Sequence, residues 1–346
     1  MIWLEGFCYN KVGIKINISI KADSMTRKKH LLIAVIILII VFYIVFINIL
    51  VSAALVPSFI EKLDAFEDIT NESLEQQVHS DTISTNTKLI NTQTKEWLDT
   101  ITIDYKEITS ADGYRLVASQ IMQENVSHQW LLTLHGYTGW KEELYPYAMP
   151  FYEKGYNIFS PDLRCQGDSE GDFIGMGWTD KDDVLLWIDL ILEEDSEAEI
   201  VILGQSMGAA CALMLSGMDS LPSNVIAIIS DCAYTSAYEM FEKQAWDWFH
   251  LPAFPFVDSC NLALQLRGGY DLKDASAINA VAKSKVPILF IHGTDDKMIP
   301  SSMCQELYET CSSNKEILLI PNAGHAQAMY ADPNTYWNVI WTFLNR

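Results

Sequence analysis

Little in this sequence of 346 residues points toward metal or nucleic-acid chemistry. It has no C-x-x-C pair and no H-E-x-x-H, so a structural or catalytic zinc site has no support in the residue spacing. The seven cysteines, Cys8, Cys165, Cys211, Cys232, Cys260, Cys304 and Cys311, are scattered along a chain too long to need stapling. Cys304 and Cys311 fall about 10 Å apart along an expected helix, beyond disulfide reach. The expectation is free, mostly buried thiols. The glycines at 171, 175 and 177 do not spell G-x-G-x-x-G, and no phosphate-cradling helix opens on them. Basic residues are scarce: 23 Lys and Arg stand against 45 Asp and Glu, a formal net charge of −22. Because the first thirty residues are themselves net basic, the acidic excess belongs wholly to the rest of the chain. That balance argues against nucleic acid and against docking on anionic headgroups, and otherwise describes a solvated, aggregation-resistant surface.

Charge is missing altogether from residues 31 to 56, Leu31 to Val56, where Asn48 and Ser52 are the polar interruptions. As a helix this stretch rises about 39 Å, enough to cross a hydrocarbon core of about 30 Å with some tilt. Arg27-Lys28-Lys29 precede it, and Glu61, Asp64, Glu67 and Asp68 follow. The positive-inside rule then places residues 1–30 in the cytoplasm and the rest outside, on a single-pass anchor in the cell membrane. A cleaved signal peptide is the competing reading, since Val51-Ser52-Ala53 and Ser52-Ala53-Ala54 resemble cleavage sites. The apolar run is far longer than the usual 7 to 15 residues, which favours an uncleaved anchor. Met25, followed by Thr26-Arg27-Lys28-Lys29, would itself make a conventional start.

Residues 57–100 are polar, rich in Thr, Asn, Gln and Ser, and read as a partly helical stalk that carries His79 and the Asn71-Glu72-Ser73 sequon. From Ile101 the texture changes. Asp104 to Thr109 and Tyr114 to Met122 read as a strand pair across Ser110-Ala111-Asp112-Gly113. Short apolar strands then alternate with helical patterns: Trp130–Leu134, Tyr156–Pro161, Glu199–Leu203, Val225–Ser230, Ile288–Ile291 and Glu316–Ile320. Helices are expected near 141–154, 179–195, 207–218, 300–313 and 332–345. The alternation implies an α/β domain over 101–346, a mostly parallel sheet covered on both faces, with its site at the carboxyl ends of the strands. Residues 235–280 interrupt the rhythm with a helical, aromatic insertion carrying Tyr238, Phe241, Trp246, Trp248, Phe249, Phe254 and Phe256. It reads as a cap whose aromatics either pack on the domain or wall an apolar pocket.

Val201-Ile202-Leu203-Gly204-Gln205-Ser206-Met207-Gly208 runs from strand through G-x-S-x-G into a helix-forming segment. That is the pattern of a nucleophile elbow, with the two glycines needed because side chains at 204 and 208 would meet the neighbouring strand and helix. Ser206 is the candidate nucleophile. A serine needs a base, and the base an orienting carboxylate. Of seven histidines, His30 is juxtamembrane, His79 lies in the stalk, His128 in a polar turn and His250 in the cap. His135 and His292 each end a strand as His-Gly, where an imidazole more often braces a loop. His325, in the small-residue loop Pro321-Asn322-Ala323-Gly324-His325 after the last strand, is the candidate base. Asp295 and Asp296 follow the preceding strand, and Asp296 is favoured by its spacing to Ile299-Pro300 in the pattern H-G-x-x-D-x-x-V/I-P. Oxyanion donors are expected from the backbone of Met207 and of Tyr137, in Leu134-His135-Gly136-Tyr137-Thr138-Gly139.

Six ordered segments, LLTLHGYTGWKEE, YNIFSPDLRCQGDSEGDFIGMGW, VILGQSMGAA, DCAYTSAYEMF, ILFIHGTDDKMIP and IPNAGHAQA, resemble the α/β-hydrolase superfamily over residues 101 to 346. Within it, they are similar to bacterial membrane-anchored hydrolases of the serine aminopeptidase and prolyl oligopeptidase-like branch. The resemblance implies Ser206, Asp296 and His325 as a triad and Tyr137 and Met207 as oxyanion donors. One departure is Cys165-Gln166, where relatives commonly read Gly-His within R-G-H-G; it touches loop packing rather than the triad. The expected activity is a serine hydrolase acting on a small-molecule carboxylic ester without a cofactor, anchored in the bilayer through residues 31–56. A peptidase or acyltransferase of the same chemistry is the alternative, and a catalytically silent surface binding module is the reading from another class. Large oligopeptidases filter peptides through a propeller, which the stretch between membrane and domain is too short to build. Oligomeric state is not legible.

Overall fold

The computed structural model of the chain describes the backbone of residues 3–60 and 80–345 and the side chains of residues 27–59 and 80–345. The Asn71 sequon and His79 lie outside the described residues. The chain divides into two compact units, residues 1–50 and 51–346. Helix α1 spans Trp3–Leu55. Its stretch Arg27–Leu55 is long and apolar enough to cross a membrane.

The second unit is built on eight strands: β1 Asp104–Thr109, β2 Arg115–Ile121, β3 Gln129–Leu134, β4 Asn157–Pro161, β5 Glu199–Gln205, β6 Val225–Asp231, β7 Ile288–Gly293 and β8 Lys315–Ile320. Their order in the sheet is β1-β2-β4-β3-β5-β6-β7-β8. β1 and β2 form the expected antiparallel hairpin, β2 also runs antiparallel to β4, and every later pairing is parallel. Alternation along the strands sends Trp130, Leu132, Ile200 and Ile202 to one buried face. Leu131, Val201, Leu203, Ile229 and Ile291 go to the other. Because helices cover both faces, the central strands are continuous apolar runs rather than half-polar ones.

Three helices complete the first face: α4 Asp180–Glu194, α5 Met207–Ser216 and α8 Ser301–Thr310. The second face is covered by α3 Tyr145–Tyr152 and α9 Pro333–Leu344. Between β6 and β7 the cap consists of α6 Ala237–Phe249, a short turn at Ala253–Val257 and α7 Asp258–Gly268.

Two segments expected to stand apart from the domain are part of it. Helix α2, Asp81–Leu98, occupies the second half of the polar stretch. It is capped by Ser80, whose hydroxyl accepts from the Ile83 N–H at 3.0 Å. Ile83, Thr94 and Trp97 are buried, and the Trp97 ring meets Tyr145 edge-on and tilts against Tyr152. The Asn86 amide donates to the Tyr330 carbonyl at 2.9 Å. The last turn of α1 is likewise built in: Val51 and Leu55 are each 2% exposed and belong to the core of the second unit. The carbonyl of Leu55 accepts from Ile174 N–H at 2.9 Å, and that of Ala54 accepts from the Tyr137 hydroxyl.

At the end of β6 the Asp231 side chain is wholly buried, its Oδ2 accepting from the Tyr336 hydroxyl at 3.0 Å while Oδ1 has no partner. Burial pushes its carboxyl up to about 6, against smaller opposing effects of the Tyr336 bond and of His292 and His325. The folded chain therefore holds this proton more tightly than the unfolded one, a contribution present below about pH 4 and lost as pH rises toward 6.

Two measurements check these placements. Leu55→Ala in the full chain should cost on the order of 2–5 kcal/mol and lower the Tm of the domain, while Leu38→Ala, at a position 68% exposed, leaves it unchanged. Asp231→Asn should gain stability relative to the parent as pH is raised from 4 to 6.5, with the difference level above that; a pH-independent difference in Tm would contradict the assignment.

Candidate active site

The carboxyl ends of β3, β5, β6, β7 and β8 meet at one edge of the sheet. At the end of β5 the chain turns through Ser206 at φ 54°, ψ −116°, a conformation that side-chain-bearing residues rarely adopt, and enters α5 at Met207. The glycines beside it make the turn possible. A Cβ on Gly208 would lie 2.0 Å from the Leu134 carbonyl oxygen, and one on Gly204 2.4 Å from that of Gly208. The strands and α5 thus touch backbone to backbone. The turn is pinned by the Ser206 N–H donating to the Asp231 carbonyl at 2.8 Å.

Opposite the serine, the loop after β8 carries His325. Gly293, at the end of β7, lets that loop lie close, since a Cβ there would fall 2.3 Å from the Ala323 carbonyl oxygen. His325 Nε2 stands 2.9 Å from Ser206 Oγ, and its Nδ1 2.7 Å from Asp296 Oδ2. The carboxylate can only accept, so Nδ1 carries the proton and Nε2 receives the serine hydroxyl. The His325 side chain is 13% exposed and that of Asp296 fully buried. Asp295, the rejected neighbour, is exposed and accepts from the Thr294 hydroxyl at 2.9 Å instead.

Burial alone would raise the Asp296 carboxyl, but the surrounding donors outweigh it and hold the group well below the usual carboxylate range. Oδ1 accepts from the N–H groups of Met298 at 2.9 Å and Ile299 at 2.8 Å. Oδ2 is shared between two imidazoles, His325 and, at 3.1 Å, His292 Nε2. His292 Nε2 also lies 2.8 Å from the Ile299 carbonyl, which fixes its tautomer as the Nε2–H form. His292 therefore braces both the acid and the loop that presents it. Its strand-end position suggests a brace; that the braced group is the candidate acid emerges only from the fold, although the i, i+4 spacing of His292 and Asp296 is a readable signal.

Both segments expected to supply oxyanion donors touch the serine. Met207 follows it directly, and Gly136 packs on it, a Cβ at that position lying 3.6 Å from Ser206 Cβ. The side chain of Tyr137 turns away from the site to reach Ala54. The loop is held from beneath by polar side chains, His135 among them, in the bracing role its strand-end position suggests. Lys141 Nζ donates to Asp162 Oδ2 and Asp168 Oδ2, each at 2.7 Å, and its N–H to Asp162 Oδ1 at 2.7 Å. Burial works against the ammonium, yet these carboxylates outweigh it and raise its pKa. His135 Nε2 accepts from Leu163 N–H at 2.9 Å, and burial depresses its pKa to about 4, keeping it neutral. Arg164 grips Asp183 with two bonds of 2.7 and 2.8 Å. Cys165, in place of the usual glycine, sits at φ 65°, and the amide of the adjacent Gln166 is buried without partners. The departure from R-G-H-G thus strains this loop, away from the serine.

Cys232, Asp296 and His325 offer three donor atoms within 4.8 Å of one another. They do not make a metal set, because both nitrogens of His325 are engaged and burial keeps the Cys232 thiol protonated. The six described cysteines are all free. Of the remaining histidines, His128 pairs with Asp195 at the surface and His250 caps α6, its Nδ1 3.0 Å from the Trp246 carbonyl. The cap aromatics meet neither expectation wholly: Tyr238 binds Asp258, but Trp246, Phe249 and Phe254 are largely exposed.

The chain is similar to the Bacillus subtilis protein YqkD, 28% identical over 239 residues that cover 69% of this chain and 78% of that one. It is also similar to the Danio rerio lysophosphatidylserine lipase ABHD12, 25% identical over 201 residues, 55% of this chain and 49% of the relative. Among solved structures, the Pyrococcus furiosus esterase Pf2001 shares the fold with a TM-score of 0.58 at 23% identity, over 71% of this chain and 92% of the esterase. The model of the alpha/beta hydrolase family matches residues 131–337, which hold every side chain of the serine–histidine–aspartate array. With that match and an eight-stranded, mostly parallel sheet carrying its site at the strand ends, the chain belongs to the alpha/beta hydrolase family.

Proposed function

We propose that the protein is a serine hydrolase that cleaves carboxylic esters through an acyl-enzyme on Ser206, held at the membrane by α1. The observation that carries this reading is the unbroken hydrogen-bond chain from Ser206 Oγ through His325 to Asp296, at 2.9 and 2.7 Å. His325 Nε2 takes the hydroxyl proton as Oγ attacks the ester carbonyl, and the buried Asp296 carboxylate stabilises the imidazolium that forms. The oxyanion of the tetrahedral intermediate is received by the backbone N–H groups of Tyr137 and Met207, aided by the N-terminus of α5. His325 then protonates the leaving alkoxide, leaving an acyl-serine. In the second half-reaction it deprotonates a water, and collapse of the second tetrahedral intermediate restores the serine and releases the acid.

Ester rather than peptide cleavage is supported by the small cap that helices α6 and α7 form, with no propeller among the described residues. It is supported also by two of the proteins the chain resembles, one named a lipase and one an esterase. The basic residues before the apolar stretch and the acidic ones after it favour a cytoplasmic N-terminus and a catalytic domain on the other side.

A fluorophosphonate probe should label the parent protein and fail to label Ser206→Ala, with ester turnover in that variant reduced at least about 10⁴-fold. A correctly folded parent that resists the probe would refute the reading. His292→Ala should lower kcat about 10- to 100-fold with KM little changed, the worth of one hydrogen bond to a charged group. His292→Gln, which retains a donor at the Nε2 position, should recover much of the loss. Equal activity in His292→Ala and the parent would show that the second imidazole does not position the acid.

A further inference from the structure

The cap exposes five large apolar side chains among its polar ones. Phe254 is 78% exposed, Leu266 80%, Leu262 57%, Trp246 56% and Phe249 46%. Leu262 and Leu266 stand one turn apart on one face of α7, and Trp246 and Phe249 share a face of α6. Phe254 lies in the short turn that both helices pack against. Large apolar side chains concentrated on one insertion mark an interaction surface rather than the scattered exposure normal for a protein surface.

The identity of the partner is set by what α7 is tied to. Arg267, next to Leu266, donates from Nη2 to Ser52 Oγ at 2.8 Å and lays its guanidinium over the Phe173 ring. Ser52 is four residues from the end of the charge-free stretch Leu31–Val56. If that stretch spans a bilayer, the chain leaves the hydrocarbon at the turn to which α7 is bonded. The cap helix is thereby placed at the membrane boundary by the protein's own connectivity. Its leucines are then within reach of the acyl region and Arg267 at the depth where a long cationic side chain reaches the interface. The strongly acidic remainder of the domain makes attraction by anionic headgroups a poor alternative, so contact is through apolar burial.

The same cap borders the loop that presents the candidate acid. Trp246 and His250 line a shallow cavity together with Lys243, Lys297 and the candidate acid Asp296. We infer that the cap rests its exposed apolar face in the leaflet from which α1 emerges, and that the substrate is an acyl ester resident in that leaflet rather than a freely soluble one. The inference rests on the serine-hydrolase reading for its substrate half, while the membrane contact stands independently of it.

The test uses the full chain in phosphatidylcholine nanodiscs. An environment-sensitive nitrobenzoxadiazole label is attached at Leu266→Cys, at Phe254→Cys or, as control, at Val126→Cys, 92% exposed just before β3 at the opposite end of the strands. The unsubstituted chain is the labelling blank. Including doxyl-labelled lipid should quench positions 266 and 254 at least about twofold and leave 126 unchanged, as a face seated about 5–10 Å into the interface requires. No quenching at 266, or equal quenching at all three positions, would overturn the membrane contact. In parallel, Leu262→Ser combined with Leu266→Ser should slow hydrolysis of a nanodisc-embedded fluorogenic diacyl ester about tenfold, with p-nitrophenyl butyrate turnover unchanged. Equal effects on the two esters would overturn delivery from the leaflet. A parent that cleaves neither ester while 266 is quenched would refute the hydrolase reading and leave the membrane contact in place.

Discussion

The active-site edge depends on one steric constraint, the backbone contact between α5 and the strands beneath it. Ser206 occupies a conformation that costs on the order of 1–3 kcal/mol for a residue with a side chain. It persists because Gly204 and Gly208 leave room for nothing but backbone: the Leu134 carbonyl would be struck by any substituent on Gly208. That closeness has a second effect. The loop after β3 and the start of α5 are held against each other, so the two N–H groups proposed to receive an oxyanion are positioned by the same contact that exposes the hydroxyl. The bond from Ser206 N–H to the Asp231 carbonyl fastens the turn to the next strand as well.

Around this edge, buried carboxyls are set apart by their surroundings. Asp296 has two backbone N–H groups and two imidazoles, and it is held charged. Asp231, one strand over, has a single tyrosine hydroxyl and an unpartnered oxygen, and it is pushed toward protonation. Two acids at neighbouring strand ends thus differ in charge tendency because the number of donors differs, not the depth of burial. Asp162 accepts from the Lys141 ammonium and N–H and from the Asp168 N–H, and these bonds fix the loop geometry.

Most of this edge is readable from the residues alone. Strand runs such as Ile200–Leu203 and Leu289–Ile291 are short and continuously apolar because both faces are covered, and the G-x-S-x-G turn has few alternatives sterically. The serine, histidine and aspartate, separated by up to 119 positions, meet as the order of motifs along the chain implies. The features that stay hidden do so for a physical reason. Helix α2 buries Ile83 and Trp97 through a narrow stripe amid threonine and asparagine, so its composition resembles a spacer. The role of His292 is set by which oxygen of Asp296 it reaches, a matter of tertiary geometry. The cap aromatics look like core material, since hydrophobicity alone does not distinguish a side chain facing inward from one left exposed at the surface.

The last turn of α1 has a meaning for how such a protein could be released or remodelled. Because Ala54 and Leu55 lend carbonyls to Tyr137 and Ile174, a protease shedding the domain just after Val56 would sever more than a tether. It would unseat a wall of the folded unit and loosen the loop that borders Ser206. Attachment and architecture are therefore inherited together, and a lineage that lost its hydrophobic helix would have to reinvent that wall to keep a firm edge.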